Sequence, residues 1–184
     1  QFGSKYGITN KYGIVDVNKA KSILSFAKSN EIDTLDTAYE YNGAHELLGS
    51  LNLKDFKIIT KLPQFKNLNL YENLKKIVIQ ILTSLNVERI DGILIHHTIQ
   101  LSNENGYQLW RALRRIKDEG YVKYIGYSIY NVEELNELYF KFKPDIVQIP
   151  GNIFDQRFFT SGWVQKLYDE DVLIFLRSIL LQGL

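Results

Sequence analysis

Four side chains of different chemistry stand at the ends of short apolar runs: the carboxylate of Asp36, the phenol of Tyr41 five residues later, the ammonium of Lys61 and the imidazole of His96. Together they suit delivery of a proton to an oxygen. An unperturbed tyrosine, with a pKa of about 10, is a poor acid or base at neutral pH, but a neighbouring ammonium favours the phenolate. Lys61 is therefore expected to lower the Tyr41 pKa towards the working range. Asp36 would hold Lys61 by a charge-assisted hydrogen bond, and His96 would orient the oxygen that Tyr41 protonates. Taken singly, each residue has a plainer account: a turn aspartate, an exposed lysine, a satisfied core histidine. Bringing charges of both signs and a phenol to one place is costly to fold, and that cost is expected of a site.

The elements that must position these residues follow from the apolar pattern. In IDTLDTAYEYNGAHELLG a short run ends at Asp36, a turn passes Asn42 and Gly43, and a helical pattern follows through Glu46, Leu47 and Leu48. KIITK closes on Lys61 and DGILIH on His96 in the same way. Seven strands are expected, at residues 2–8, 34–37, 57–61, 92–96, 124–128, 146–149 and 172–177. Helices are expected between them. At 18–30, Ile23, Leu24 and Ala27 carry the spacing, and Asn30 suits the left-handed position that closes a helix. At 71–86 the stripe Leu74, Ile77, Val78, Ile81, Leu82, Leu85 is the clearest in the chain. A helix at 106–119 buries Leu109, Leu113 and Ile116 and stops at Gly120, its Arg111, Arg114, Arg115 and Lys117 forming a solvated face. Asn131, with Glu134 three residues on, opens a helix at 132–140, and a last one covers 163–169.

Strands that are continuous apolar runs, each followed by a helix, predict a parallel sheet covered by helices. Seven such units are one short of the eight that close a (β/α)8 TIM barrel. In that fold the C-terminal ends of neighbouring strands face one mouth, which would gather Asp36, Lys61 and His96. An open doubly wound sheet would instead show a glycine-rich first turn, and none is present. We therefore expect an α/β chain, a (β/α)8 barrel lacking its last unit, with residues 1–184 as a single domain cut at the C-terminal end.

Composition narrows the function classes. A chain of 184 residues buries roughly 70% of the surface its unfolded form exposes, enough for a real core. The net charge of +1, with both signs spread along the chain, gives no footprint for nucleic acid or an anionic membrane. No apolar run approaches the ~20 residues that span a bilayer. With no cysteine there is neither disulfide nor thiolate metal site, which suits a cytoplasmic location. Three histidines without a His-x-His pair argue against a metal hydrolase, so no metal is expected. His97 borders the substrate or has no role, and Trp110 and Trp163 pack helices onto the sheet. The sequence opens on Gln1 inside an expected strand, ends at Leu184 just after another and has no methionine. Both ends are expected to be cut.

The run DTAYEYNGAHELLG, then ITK ending in Lys61, then ILIH ending in His96, resembles the aldo-keto reductases. Their catalytic tetrad of Asp, Tyr, Lys and His matches Asp36, Tyr41, Lys61 and His96. GYVKYIGYSIY, DIVQIPGNIFDQR and VLIFLRSILLQGL look like the family's fifth, sixth and seventh strands with their flanks. The resemblance implies hydride transfer from NADPH, with NADH as the other possible donor, to an aldehyde or ketone, with Tyr41 as general acid. It also implies that Ser128 and Gln148 hold the nicotinamide carboxamide, that Arg177 stands where an aromatic often stacks on the ring, and that Ser178 and Leu180 lie in the loop around the pyrophosphate. Ile129 departs from the Asn found in many members, which puts one carboxamide contact in doubt. VQIPGNIFDQR looks like a branch associated with bacterial sugar or coenzyme metabolism, implying a sugar-like carbonyl. Two other functions fit the same residues: a regulatory subunit that binds a nicotinamide with little turnover, and a Schiff-base lyase using Lys61. Asp36 weighs against the lyase by stabilising the charged amine.

Overall fold

The computed structural model describes residues 2–65 and 70–181. Six parallel strands lie side by side in chain order: β1 (Thr34–Asp36), β2 (Lys57–Leu62), β3 (Ile90–Ile95), β4 (Val122–Ser128), β5 (Ile146–Pro150) and β6 (Leu173–Arg177). Between and before them run α1 (Val17–Ser29), α2 (Ala44–Gly49), α3 (Leu70–Leu85), α4 (Ile99–Ser102), α5 (Gly106–Asp118), α6 (Val132–Leu138), α7 (Arg157–Thr160) and α8 (Trp163–Asp169). The sheet curls into a half-barrel, as an incomplete (β/α)8 barrel should.

Side chains of a strand alternate between its two faces, so the sheet has two distinct populations. Ile58, Ile93, Ile95, Ile125, Val147 and Ile149 join the stripes of α3 and α5 in the main core beneath the helices. On the other face, among the described residues, Ile59, Leu94 and Ile146 form a small buried cluster, with Tyr124 and Phe175 packed against it. Close approach across this inner face dictates glycine at position 126. A Cβ there would stand 1.7 Å from the carbonyl oxygen of Ile146, its partner in register.

Local chemistry explains the element ends. Asp16 caps α1 by accepting from the Lys19 amide at 2.8 Å. Asn131 caps α6 from both directions: its Oδ1 accepts from the Glu134 amide and its Nδ2 donates to Glu134 Oε1, both at 2.9 Å. Trp110 and Trp163 are buried in the main core; Trp110 lies against Tyr127 of β4, with ring centroids 6.0 Å apart, and Trp163 against Tyr139, with centroids 5.1 Å apart.

Three expectations are corrected. Residues 2–8 form turns and not a strand, because Gly3 (φ 81°) and Gly7 (φ 100°) take left-handed backbone that a strand cannot use. The described strands therefore number six, not seven. Asn30 stays at φ −110° while Glu31, at φ 61°, makes the left-handed turn after α1. The single-turn helices α4 and α7 were not expected, since four residues carry no readable period. The last three residues of VLIFLRSILLQGL lie outside the described residues.

Candidate active site

The same alternation that builds the inner cluster builds the site. Lys61 lies two residues beyond Ile59, His96 two beyond Leu94, Ser128 two beyond Gly126, Gln148 two beyond Ile146 and Arg177 two beyond Phe175. Each inner-face row thus begins apolar and turns polar at its C-terminal end. Parallel strands in matched register bring these ends together: Ser128 pairs with Gln148, and Asp36 sits beside Ile59. One cavity of about 620 Å³ is lined by all nine residues singled out from the sequence, Asp36, Tyr41, Lys61, His96, Ser128, Gln148, Arg177, Ser178 and Leu180.

Lys61 is the most confined of the charged members, at 2% exposure. Its Nζ donates to Asp36 Oδ1 at 2.7 Å and to the Thr37 carbonyl at 2.9 Å. Burial lowers its pKa below the ordinary lysine value, although the Asp36 carboxylate pulls the other way. The Asp36 side chain is 40% exposed, so water reaches one member of the pair. Asp36 Oδ1 also accepts from Gln148 Nε2 at 3.0 Å, and Gln148 Oε1 accepts from Ser128 Oγ at 3.2 Å. Ser128, Gln148, Asp36 and Lys61 therefore form one hydrogen-bonded line from β4 to β2.

The expectation that Lys61 depresses the Tyr41 pKa is corrected. Burial, reinforced by the negative charge of Asp36, pushes the Tyr41 phenol up to about 12. The Lys61 ammonium stands 5.4 Å from the centre of the Tyr41 ring and is engaged with Asp36 and Thr37. Tyr41 therefore keeps its proton at neutral pH. His96 meets the Tyr41 ring edge-on, with centroids 6.2 Å apart. Burial, then the charge of Lys61, lowers the His96 pKa, so its ring is neutral at neutral pH.

At the other end of the cavity the Arg177 guanidinium lies 4.0 Å from the centre of the Tyr130 ring, and its Nη2 donates to the Ile129 carbonyl at 3.0 Å. Its Nε is buried without a hydrogen-bond partner among the described residues. The Ile129 side chain is fully buried in the main core, so that position offers the cavity no polar side chain. Ser178 takes a left-handed backbone (φ 62°) directly after β6, and Leu180 is 75% exposed.

Three contributors were missed from the sequence. Tyr130 lines the cavity and continues the alternate spacing from Ser128, a signal that was readable. Tyr6 also lines it, from the segment expected to be a strand. Glu40 precedes Tyr41 and approaches both histidines, with Oε2 2.9 Å from His97 Nε2 and 3.1 Å from His96 Nδ1. Nothing in the spacing announces a contact that spans 57 residues of chain.

The sequence model of the aldo/keto reductase family matches residues 2–184. No curated protein sequence is a significant match. Among solved structures, an aldo-keto reductase of Pseudomonas aeruginosa superposes with a TM-score of 0.77 at 23% identity, over 95% of this chain and 69% of that one. The holo form of the aldo-keto reductase AKR11C1 of Bacillus halodurans gives 0.76 at 20% identity, over 100% and 68%. The aldo-keto reductase AKR2E5, crystallised with NADPH, gives 0.72 at 20% identity, over 96% and 57%. At these identities the likeness shows a shared fold, and this chain spans between 57% and 69% of the three structures' lengths.

Proposed function

The chain belongs to the aldo/keto reductase family, and from that premise we propose that it is an NADPH-dependent oxidoreductase that reduces an aldehyde or ketone to the alcohol. The observation that carries this reading is the convergence of Asp36, Tyr41, Lys61 and His96 on one cavity. The residues present suit the cofactor: the cavity is large and polar-ended, and the buried, unpartnered Nε of Arg177 is a cationic donor awaiting an acceptor. A neighbour of the same fold crystallised with NADPH supports the choice. NADH is the alternative donor.

NADPH, when bound, supplies the hydride. The protein's part is to deliver and hold a proton. Tyr41, with its pKa pushed up to about 12, gives its proton only to a strong base, and the alkoxide formed as the carbonyl is reduced is one. The phenolate left behind is stabilised by the Lys61 charge 5.4 Å from the ring centre, and Asp36 keeps that amine protonated against its burial. Neutral His96 orients the carbonyl oxygen by a hydrogen bond. Ser128 and Gln148 hold the carboxamide, Gln148 sharing its amide between Ser128 and Asp36. Arg177, stacked on Tyr130, borders the nicotinamide, and Ser178 and Leu180 border the pyrophosphate. We assign a sugar-like carbonyl as substrate class and the cytoplasm as site of action. Among the described residues no helix is long and apolar enough to cross a membrane.

The test is titration of NADPH and NADH with nicotinamide fluorescence as readout, then nicotinamide oxidation with a panel of aldehydes including open-chain sugars. Binding and turnover in the parent, with turnover lost in Tyr41→Phe while binding persists, support the reading; turnover unchanged in that variant sinks it. A lyase using Lys61 as nucleophile gains one observation, the burial that lowers its pKa. Both acceptors around Nζ hold it as an ammonium, however. Borohydride trapping of a carbonyl on Lys61 would decide for the lyase.

A further inference from the structure

Neither Glu40 nor His97 lines the reaction cavity, yet both meet beside His96, which does. We propose that Glu40, His96 and His97 form a binding site for a divalent transition-metal ion of the Zn²⁺ or Co²⁺ type. Their ligand atoms, one from each side chain, all lie within 4.8 Å of one another. Glu40 Oε2 stands 3.1 Å from His96 Nδ1 and 2.9 Å from His97 Nε2. Around a tetrahedral ion with bonds of about 2.0–2.1 Å, neighbouring ligand atoms stand roughly 3.3 Å apart, so each Glu40–histidine pair needs to open by only a few tenths of an ångström.

The donor set selects the ion. Two imidazoles and a carboxylate suit zinc, cobalt, nickel or copper, whereas magnesium and calcium prefer all-oxygen shells. Three ligands leave the fourth position for water. A hydrogen bond alone does not account for the arrangement. Both Glu40 oxygens lie within hydrogen-bonding distance of His97 Nε2, at 2.9 and 3.1 Å, while His96 Nδ1 is buried and makes no hydrogen bond despite its proximity to the same carboxylate. A metal would use that idle nitrogen. Access is open, since the His97 and Glu40 side chains are 42% and 36% exposed. The frame is also firm: Glu40 follows β1 closely, and the histidines follow β3 directly. An ion on Nδ1 would fix the remaining imidazole proton of His96 on Nε2, making the ring a permanent donor.

The test is independent of carbonyl reduction. Co²⁺ is titrated into the full chain with its visible absorption as readout, and Zn²⁺ binding is measured by calorimetry. One ion per chain, saturating below millimolar free metal, is expected. His97→Ala and Glu40→Gln, checked for folding by circular dichroism, should each weaken binding at least about tenfold, as loss of a ligand or its support does. Absence of saturable binding, or affinity unchanged in both variants, would overturn the proposal.

Discussion

The two faces of this sheet are built from the same strands but to opposite ends. Beneath the helices, Ile58, Ile93, Ile125, Val147 and Ile149 sit in one continuous apolar core. On the inner face the apolar cluster is short, and beyond it the strands carry Lys61, Ser128, Gln148 and Arg177. One face spends burial on stability; the other spends it on confining an ammonium at 2% exposure. Burial of a charge costs free energy unless it is paired, and the Asp36 carboxylate and the Thr37 carbonyl supply that pairing for Lys61.

Four substitutions or conditions would break or sharpen that contrast. The largest effect belongs to Tyr41→Phe. Loss of a general acid typically costs about 100- to 10,000-fold, so NADPH oxidation should fall by that range while the urea midpoint stays near that of the parent. An unfolding midpoint that drops with it would mean that Tyr41 is structural. Next comes Ile93→Ala on the outer face, where the side chain is fully buried. A cost of about 2–5 kcal/mol is expected from urea unfolding, with NADPH affinity per folded molecule retained.

Gln148→Ala removes the amide that links Ser128 to Asp36. NADPH affinity should weaken on the order of tenfold, about 1.4 kcal/mol, with a smaller change in stability. Fluorescence titration reads the first and urea unfolding the second. The smallest effect is a pH slope on the outer side. His45 is 5% exposed, its Nε2 lies 2.9 Å from Thr60 Oγ1, and burial holds its pKa below the ordinary histidine value. The unfolded chain takes up that proton first, below about pH 6.5, so stability contributed by neutral His45 is present above that pH and lost as pH falls through the folded value. The slope from one such group cannot exceed about 1.4 kcal/mol per pH unit. His45→Gln should flatten the dependence of the urea midpoint between pH 7.5 and 5.5, and an unchanged slope would assign it to other groups.

The outer face was the more legible of the two. Leu74, Val78, Ile81, Leu82 and Leu85 announce α3 by spacing alone, and all are buried. Asn131 and Glu134 announce the start of α6 by capping chemistry that involves only local atoms. The inner face was readable as far as residue type at strand ends goes, which brought Asp36, Lys61 and His96 to one mouth. What the sequence left out depends on through-space terms. Desolvation of Tyr41, with the negative charge of Asp36 beside it, raises its pKa where a fall was expected, and Glu40 reaches His97 from a distant part of the chain. Residues 2–8 misled because Phe2, Tyr6 and Ile8 read as strand, while Gly3 and Gly7 fixed the backbone otherwise.

The line from Ser128 through Gln148 to Asp36 has a polarity: the amide presents its nitrogen to the carboxylate and its oxygen to the hydroxyl. Half a turn about the last torsion of Gln148 would set oxygen against oxygen at Asp36, turning an attraction into a repulsion. The carboxylate, which can only accept, is what makes one orientation preferable to the other; the serine hydroxyl, able to donate or to accept, follows it. An acid on β1 therefore sets which way an amide on β5 and a hydroxyl on β4 point, while the same oxygen anchors the amine on β2.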